Sequence, residues 1–269
     1  MKKYIYLIGG ILMLLLSPLY GAEFKENDSI SNFFKQKNIN GTFVLYDVQT
    51  KSLTGYNETR AFTQYQPAST FKIPNTLIGL SLGIVKNVDT VAYKHDGKKL
   101  WNKSWEKDVN LREAIKLSHL PAYQQLAQKI GTVKMQENLS KIDYGNKNIG
   151  KNLTTFWLRG PLKISAIEQV YFLEKLAKRE LDYSKDIQES VIEIIKLDNG
   201  DMWTLYGKTG WATRDLNKNL NPTLGWFVGW VEQNKKLYIF ALNMDIKDSS
   251  QLPLRQEIAL EILKNELNI

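Results

Sequence analysis

The chain has 269 residues, 43% hydrophobic and 24% charged, enough to bury a sizeable core and too apolar to be disordered. It has no cysteine and two histidines, His95 and His119, which excludes disulfide frameworks, iron–sulfur clusters, thiolate zinc and any three-histidine metal site. The formal charge of +8 is scattered, with pairs such as Lys98-Lys99 and Lys235-Lys236 but no block of five, so it reads as a solvated lysine surface and not as a nucleic-acid footprint.

Residues 1–22 read as a secretory signal peptide. Lys2 and Lys3 lead, residues 4–16 run uncharged and mostly apolar, Pro18 breaks the run, and the small residues Gly21 and Ala22 follow. The run is short for a membrane span; a buried helix or a retained anchor is the alternative. Cleavage near Gly21 or Ala22 would leave residues 23–269 as one catalytic domain with no stable membrane anchor, and take the charge from +8 to +6 (8 − 2). The absence of cysteine excludes a lipid-anchored form.

A helix is expected over residues 30–37 and a strand over 41–47, with 50–56 as its hairpin partner. Ile73, Leu77, Leu80 and Ile84 repeat at helical spacing within 71–85, where Pro74 is expected to distort the first turns. Residues 110–197 are mostly helical in pattern, most clearly 165–181, with Ile167, Val170, Leu173, Leu176 and Ala177 on one side. Strands follow at 202–206, 224–231 and 236–243, the last two joined by a turn around Gln233-Asn234, and an amphipathic helix closes the chain at 252–267. This order predicts an α+β, multi-layer α/β/α fold. An antiparallel sheet is flanked by terminal helices, with a helical region over about 87–200 inserted. Regular βαβ alternation is absent, against a Rossmann or TIM-barrel fold.

Three catalytic patterns can be weighed. Gly79-Leu80-Ser81-Leu82-Gly83 has the G-x-S-x-G form of a nucleophile elbow, but it ends a helical pattern and no histidine lies far downstream, so a helix end fits better. S-x-x-K occurs twice. In Ser104–Lys107 the lysine sits among charges, between Glu106 and Asp108. Ser69-Thr70-Phe71-Lys72 lies in the run Pro67–Pro74, with apolar neighbours and no acid. A spacing of three puts Ser69 and Lys72 on one helical face. Apolar surroundings strip charge from a lysine, and a neutral amine can activate a hydroxyl. Ser69 as a helix cap with Lys72 snorkelling outward fits that pair equally well. Lys208-Thr209-Gly210, after a strand pattern, shifts the balance: a positive charge, a hydroxyl and a glycine that admits close approach. S-x-x-K upstream with K-T-G downstream marks penicillin-binding enzymes and class A β-lactamases, whose S-D-N is absent.

With these motifs the chain resembles the class D, or OXA-type, serine β-lactamases, from about Gly41 to the C-terminal helix. The first motif matches with its Pro67-Ala68 prefix. Tyr144-Gly145-Asn146 matches the family's Y-G-N, Phe156-Trp157-Leu158 its tryptophan segment, and Lys208-Thr209-Gly210 its K-T-G. Gly225–Trp230 and Pro253-Leu254-Arg255 match the last two. One motif departs: the family's S-x-V is here Ser118-His119-Leu120, one methylene larger beside the expected lysine pocket.

The resemblance implies a β-lactamase/transpeptidase-like fold and a periplasmic enzyme that opens penicillin-type antibiotics and so gives resistance. It implies that Ser69 forms an acyl-enzyme. Lys72 takes up CO2 as a carbamate that serves as general base in acylation and deacylation. Ser118 relays a proton to the lactam nitrogen, and Trp157 donates its indole N–H to the carbamate. Backbone N–H groups of Ser69 and Trp211 form the oxyanion hole; Thr209 and Arg255 hold the substrate carboxylate, Lys208 adds positive field, and Gly210 completes the binding strand. No metal and no other cofactor is implied. The partner is a small β-lactam, with no nucleic acid. The Tyr144–Asn146 loop is expected to shape the cleft, and His119 to be a bystander. A β-lactam sensor that acylates without turnover and a penicillin-binding D,D-peptidase are the alternatives. Loops around Trp105, Trp211 and Arg214 are expected to set substrate range.

Overall fold

The computed structural model describes residues 22–212 and 223–269, so that 1–21, with most of the expected signal peptide, and Arg214 lie outside the described residues. In chain order come β1 (Phe24–Glu26), α1 (Asp28–Gln36), β2 (Gly41–Asp47), β3 (Ser52–Tyr56) and the short α2 (Glu58–Phe62). A 3-10 turn at Ala68–Phe71 runs directly into α3 (Lys72–Ser81). β4 (Val91–Tyr93) and β5 (Val109–Asn110) form a separate pair, with a 3-10 turn at Lys103–Trp105 between them. Then follow α4 (Leu111–Lys116), α5 (Leu120–Ile130), α6 (Thr132–Lys141), α7 (Ala166–Ala177) and α8 (Lys185–Ile194). The chain returns to the sheet with β6 (Lys196–Asn199), β7 (Trp203–Ala212), β8 (Thr223–Gln233) and β9 (Lys236–Ile246), and ends in α9 (Leu254–Leu267).

The main sheet has the order β1–β3–β2–β9–β8–β7–β6. Its neighbours are antiparallel, except that β1 runs parallel to β3. The α+β sheet flanked by helices is therefore as expected, but the sheet is mixed. β3 threads between β1 and β2, and a three-residue strand with a single buried side chain gives too short a pattern to read from sequence.

Both faces of the sheet are covered, and this decides the composition of its strands. Phe43 and Leu45 of β2, Phe227 of β8 and Phe240 and Leu242 of β9 pack with Ile30 and Phe34 of α1 and Ile258 and Ile262 of α9. The alternate residues Val44, Tyr46, Trp226, Val228 and Ala241 face the other core, with Leu77 of α3 and Val170 and Leu173 of α7. Strands buried on two faces read as continuous apolar runs, which is why β2 and β8 were legible.

Local chemistry sets the helix starts. The Ser165 hydroxyl accepts from the Glu168 N–H, and the Glu168 carboxylate accepts from the Ser165 N–H, a complete capping box on α7. Asn27 caps α1 three residues before the first apolar position, Ile30. Pro74 does not distort α3. It is the third residue of that helix, where its missing N–H belongs to the turn that has no intrahelical partner.

Candidate active site

The 3-10 turn before α3 creates the central pair. Three residues per turn eclipse positions i and i+3. Ser69 lies in this turn and Lys72 opens α3, and Lys72 Nζ donates to Ser69 Oγ at 2.9 Å. Lys72 is 1% exposed, which excludes snorkelling. The ring of Tyr123 lies 5.2 Å from Nζ, while the Thr76 hydroxyl donates to the Lys72 carbonyl and bonds the Tyr123 hydroxyl. Burial first, and then the charge of Lys208, hold the Lys72 amine well below the usual lysine range.

The turn is pinned from several sides. Ala68 is left-handed at φ +53°, and its N–H donates to the Trp157 carbonyl at 2.9 Å. The Thr70 hydroxyl donates to the Pro67 carbonyl and accepts from Gln169 Nε2 of α7, and Trp226 Nε1 of β8 donates to the Gln66 carbonyl. Sequence reading missed Gln169, Thr76 and Tyr123. Thr76 carries a local signal, four residues after Lys72, but the others act across the fold. Phe71 stacks on Trp157 with centroids 5.5 Å apart, and Phe156 and Tyr144 meet Phe71 edge-on. Trp157 is fully buried, and its indole N–H has no hydrogen-bond partner among the described residues.

β7 forms the opposite wall. The Gly207 N–H donates to the Ile195 carbonyl, away from β8. Strand alternation puts the N–H groups of Thr209 and Trp211 on that same side, beyond the reach of β6, which ends its pairing at Tyr206. A side chain at Gly210 would sit 3.1 Å from the Pro67 carbonyl and 3.2 Å from Thr70. What approaches this glycine is therefore the Ser69 turn itself.

Lys208 Nζ donates to the Thr209 carbonyl at 2.9 Å. Burial, and next the charge of Arg255, bring its pKa down to about 7. Arg255, near the start of α9, donates to the Gly210 carbonyl through Nη1 and to the Leu252 carbonyl through Nε. Burial draws it down to about 10, so it stays charged at neutral pH. Trp211 is 42% exposed and donates its indole N–H to the Thr223 hydroxyl.

Ser118 occupies the turn between α4 and α5, partly buried and left-handed at φ +51°. Among the described residues its hydroxyl bonds neither Ser69 nor Lys72, and Lys72 donates to Ser69. Its neighbour His119 is fully buried, and burial chiefly lowers its pKa.

The other patterns resolve into structure. Ser81 bonds back to the Ile78 carbonyl at the end of α3. Ser104 bonds Asn102, and Lys107 pairs with Glu113 at the surface. Asn146 bonds the backbone at Asn148, Pro161 and Lys163, so the Tyr144–Asn146 segment fastens the loop that follows Trp157.

A serine on a short turn, a dry lysine against it and a strand edge opposite together frame one site. The family model that matches residues 41–264 is the penicillin binding protein transpeptidase domain. Over 256 residues, 95% of each chain, the sequence is 42% identical to β-lactamase OXA-10 of Pseudomonas aeruginosa. It is 39% identical to β-lactamase OXA-48 of Klebsiella pneumoniae over 263 residues, 97% of this chain and 96% of that one. Among solved structures, FUS-1 (OXA-85), a class D β-lactamase from Fusobacterium nucleatum subsp. polymorphum, superposes with a TM-score of 0.86 at 50% identity, over 90% of this chain and 98% of its own.

Proposed function

The chain belongs to the class D β-lactamases, serine hydrolases of β-lactams, and from that premise we propose how its own residues carry the reaction. The Lys72 amine, kept neutral by burial, attacks the carbon of CO2 and loses a proton to water, leaving a carbamate. Such an anion survives in a dry setting only with a donor, and the buried, unpartnered Trp157 indole N–H fits that need. The carbamate supplies a general base beside Ser69, a contribution of roughly 10²–10⁴-fold. Ser69 Oγ then gives up its proton and attacks the lactam carbonyl. The ring C–N bond breaks, and the nitrogen takes a proton relayed by Ser118. The N–H groups of Ser69 and Trp211 hold the oxyanion, each donor contributing about 10²–10³-fold. Thr209 and Arg255 hold the substrate carboxylate, the forked guanidinium suiting a planar anion. Lys208 adds positive field, and Gly210 lets the strand and the Ser69 turn close on each other. Water attacks the acyl carbonyl, Ser69 recovers its proton, and the opened acid leaves.

The observation that carries this reading is the 2.9 Å bond between Ser69 and a lysine that is 1% exposed. The test is a time course with a penicillin, with and without bicarbonate, on the parent and Lys72→Ala. The parent should turn over, and bicarbonate should restore activity lost in acid. Lys72→Ala should acylate slowly and stay acylated by mass spectrometry. Prompt deacylation of that variant would remove the role of Lys72. A stoichiometric, long-lived adduct on the parent would instead make it a sensor.

Residues 1–22 are proposed as the export signal, leaving residues 23–269 as the catalytic unit in the periplasm. Among the described residues no helix is long and apolar enough to cross a membrane. The N-terminal sequence of the exported enzyme tests this.

A further inference from the structure

His119 lies outside the proton path proposed above, yet both nitrogens of its ring are used. The Ala122 N–H donates to Nδ1 at 3.1 Å, capping α5, so Nδ1 is the acceptor and the ring proton sits on Nε2. Nε2 in turn donates to the Trp105 carbonyl at 2.9 Å. Trp105 answers with its indole, which donates to the Leu117 carbonyl at 3.1 Å. The imidazole is held between the rings of Tyr93 and Trp105, 4.9 and 5.7 Å away. Ser118 lies between the two attachment points, in a left-handed conformation that serine adopts against its own preference. On its outer side Trp105 carries Trp101 edge-on at 4.5 Å, and Trp101 is 77% exposed.

A helix cap alone does not call for histidine. Serine, aspartate or asparagine would accept the Ala122 N–H as well or better. Imidazole adds a second nitrogen on the far side of a rigid ring, able to bond Ala122 and Trp105 at the same time. We propose that His119 is a positioning residue: its neutral ring fastens the Leu117–His119 turn to Trp105 and so fixes where Ser118 presents its hydroxyl during acylation. This rests on the relay role of Ser118 in the reading above. Because the relay serves departure of the lactam nitrogen, the clamp acts on acylation and not on hydrolysis of the acyl-enzyme.

His119→Asn is the discriminating variant. It keeps a capping acceptor for Ala122 and loses the bond to Trp105. Burst kinetics with a chromogenic cephalosporin read acylation, and decay of preformed acyl-enzyme reads deacylation. Acylation should slow by roughly tenfold to a hundredfold, with deacylation within about twofold of the parent, as expected for misplacement of one group. Trp105→Phe, which removes the return bond, should also slow acylation. The double variant should lose less than the product of the two single effects, and Trp105→Phe carries the test alone if His119→Asn fails to fold. Acylation at the parent rate in His119→Asn, or equal slowing of both steps, overturns the proposal when Ser118→Ala is slow to acylate. If Ser118→Ala itself acylates at the parent rate, the relay is wrong and the clamp falls with it.

Discussion

A lysine buried among aromatic rings with no acid beside it works against folding. The Tyr123 ring lies 5.2 Å from the Lys72 amine, and among the described residues that amine bonds a neutral hydroxyl. Burial makes this amine hold its proton less tightly in the native state than in the unfolded chain. The native state therefore binds fewer protons, and its stability falls as pH falls. Methionine fills similar space without a proton to lose. Lys72→Met should gain about 0.5–2 kcal/mol in urea unfolding near neutral pH, the size typical of stabilising changes bought at the expense of function. It should lose turnover. A variant less stable than the parent would mean that the Ser69 bond outweighs burial of the amine. The S-x-x-K spacing was legible because it is local. The dryness that gives it meaning was not, since Tyr123 reaches the lysine only through the fold.

Among the elements, the legible ones owe their signal to burial. β2 matches its expected span because it sits between two cores, and α7 because a capping box and an apolar stripe agree. β6, exposed along its length, offered nothing to read, and residues 202–206 fell short of the true β7 because its continuation to Ala212 faces the cleft. The segment from Tyr144 to Asn146 shows how a site is supported by an element that does no chemistry. Gly145 is left-handed at φ +52°, and a Cβ there would sit 2.1 Å from the Lys163 carbonyl. Alanine cannot be accommodated without moving that backbone. Gly145→Ala should destabilise by about 1–3 kcal/mol, the usual cost of enforced backbone strain. It should also lower turnover more than substrate binding, because the displaced loop follows Trp157. Unchanged stability, read by thermal unfolding, would show that the loop yields freely.

At the scale of the molecule the three basic groups of the cleft share one consequence. Lys72, Lys208 and Arg255 are all drawn below their ordinary values, chiefly by burial. For Lys208 the native value is about 7, against an ordinary 10.5. Between these limits the unfolded chain holds the extra proton, so stability rises with pH across that window. His119, lowered chiefly by burial, adds in the same direction at lower pH. The carboxylates of Asp89, Glu113 and Glu189, held down by Arg112, Lys107 and Arg179, contribute stability present above the usual carboxylate range and lost in acid. The opposing groups are the paired Lys98 and Lys178, raised chiefly by their bonds to Asp96 and Glu180, and several tyrosines. Tyr123, Tyr144 and Tyr183 are pushed above their ordinary 10.0 by burial, so their contribution is lost as pH climbs past that value. The balance places maximal stability at about pH 8–10, alkaline of the more usual range of about 5–8. Urea midpoints should climb from about pH 6 through 7.5 to 9, and in Lys208→Met the climb above pH 7 should be shallower. A parent midpoint that falls between about pH 7.5 and 9 would mean that the cleft keeps Lys208 solvated and charged, and the field assigned to it would then be screened by water.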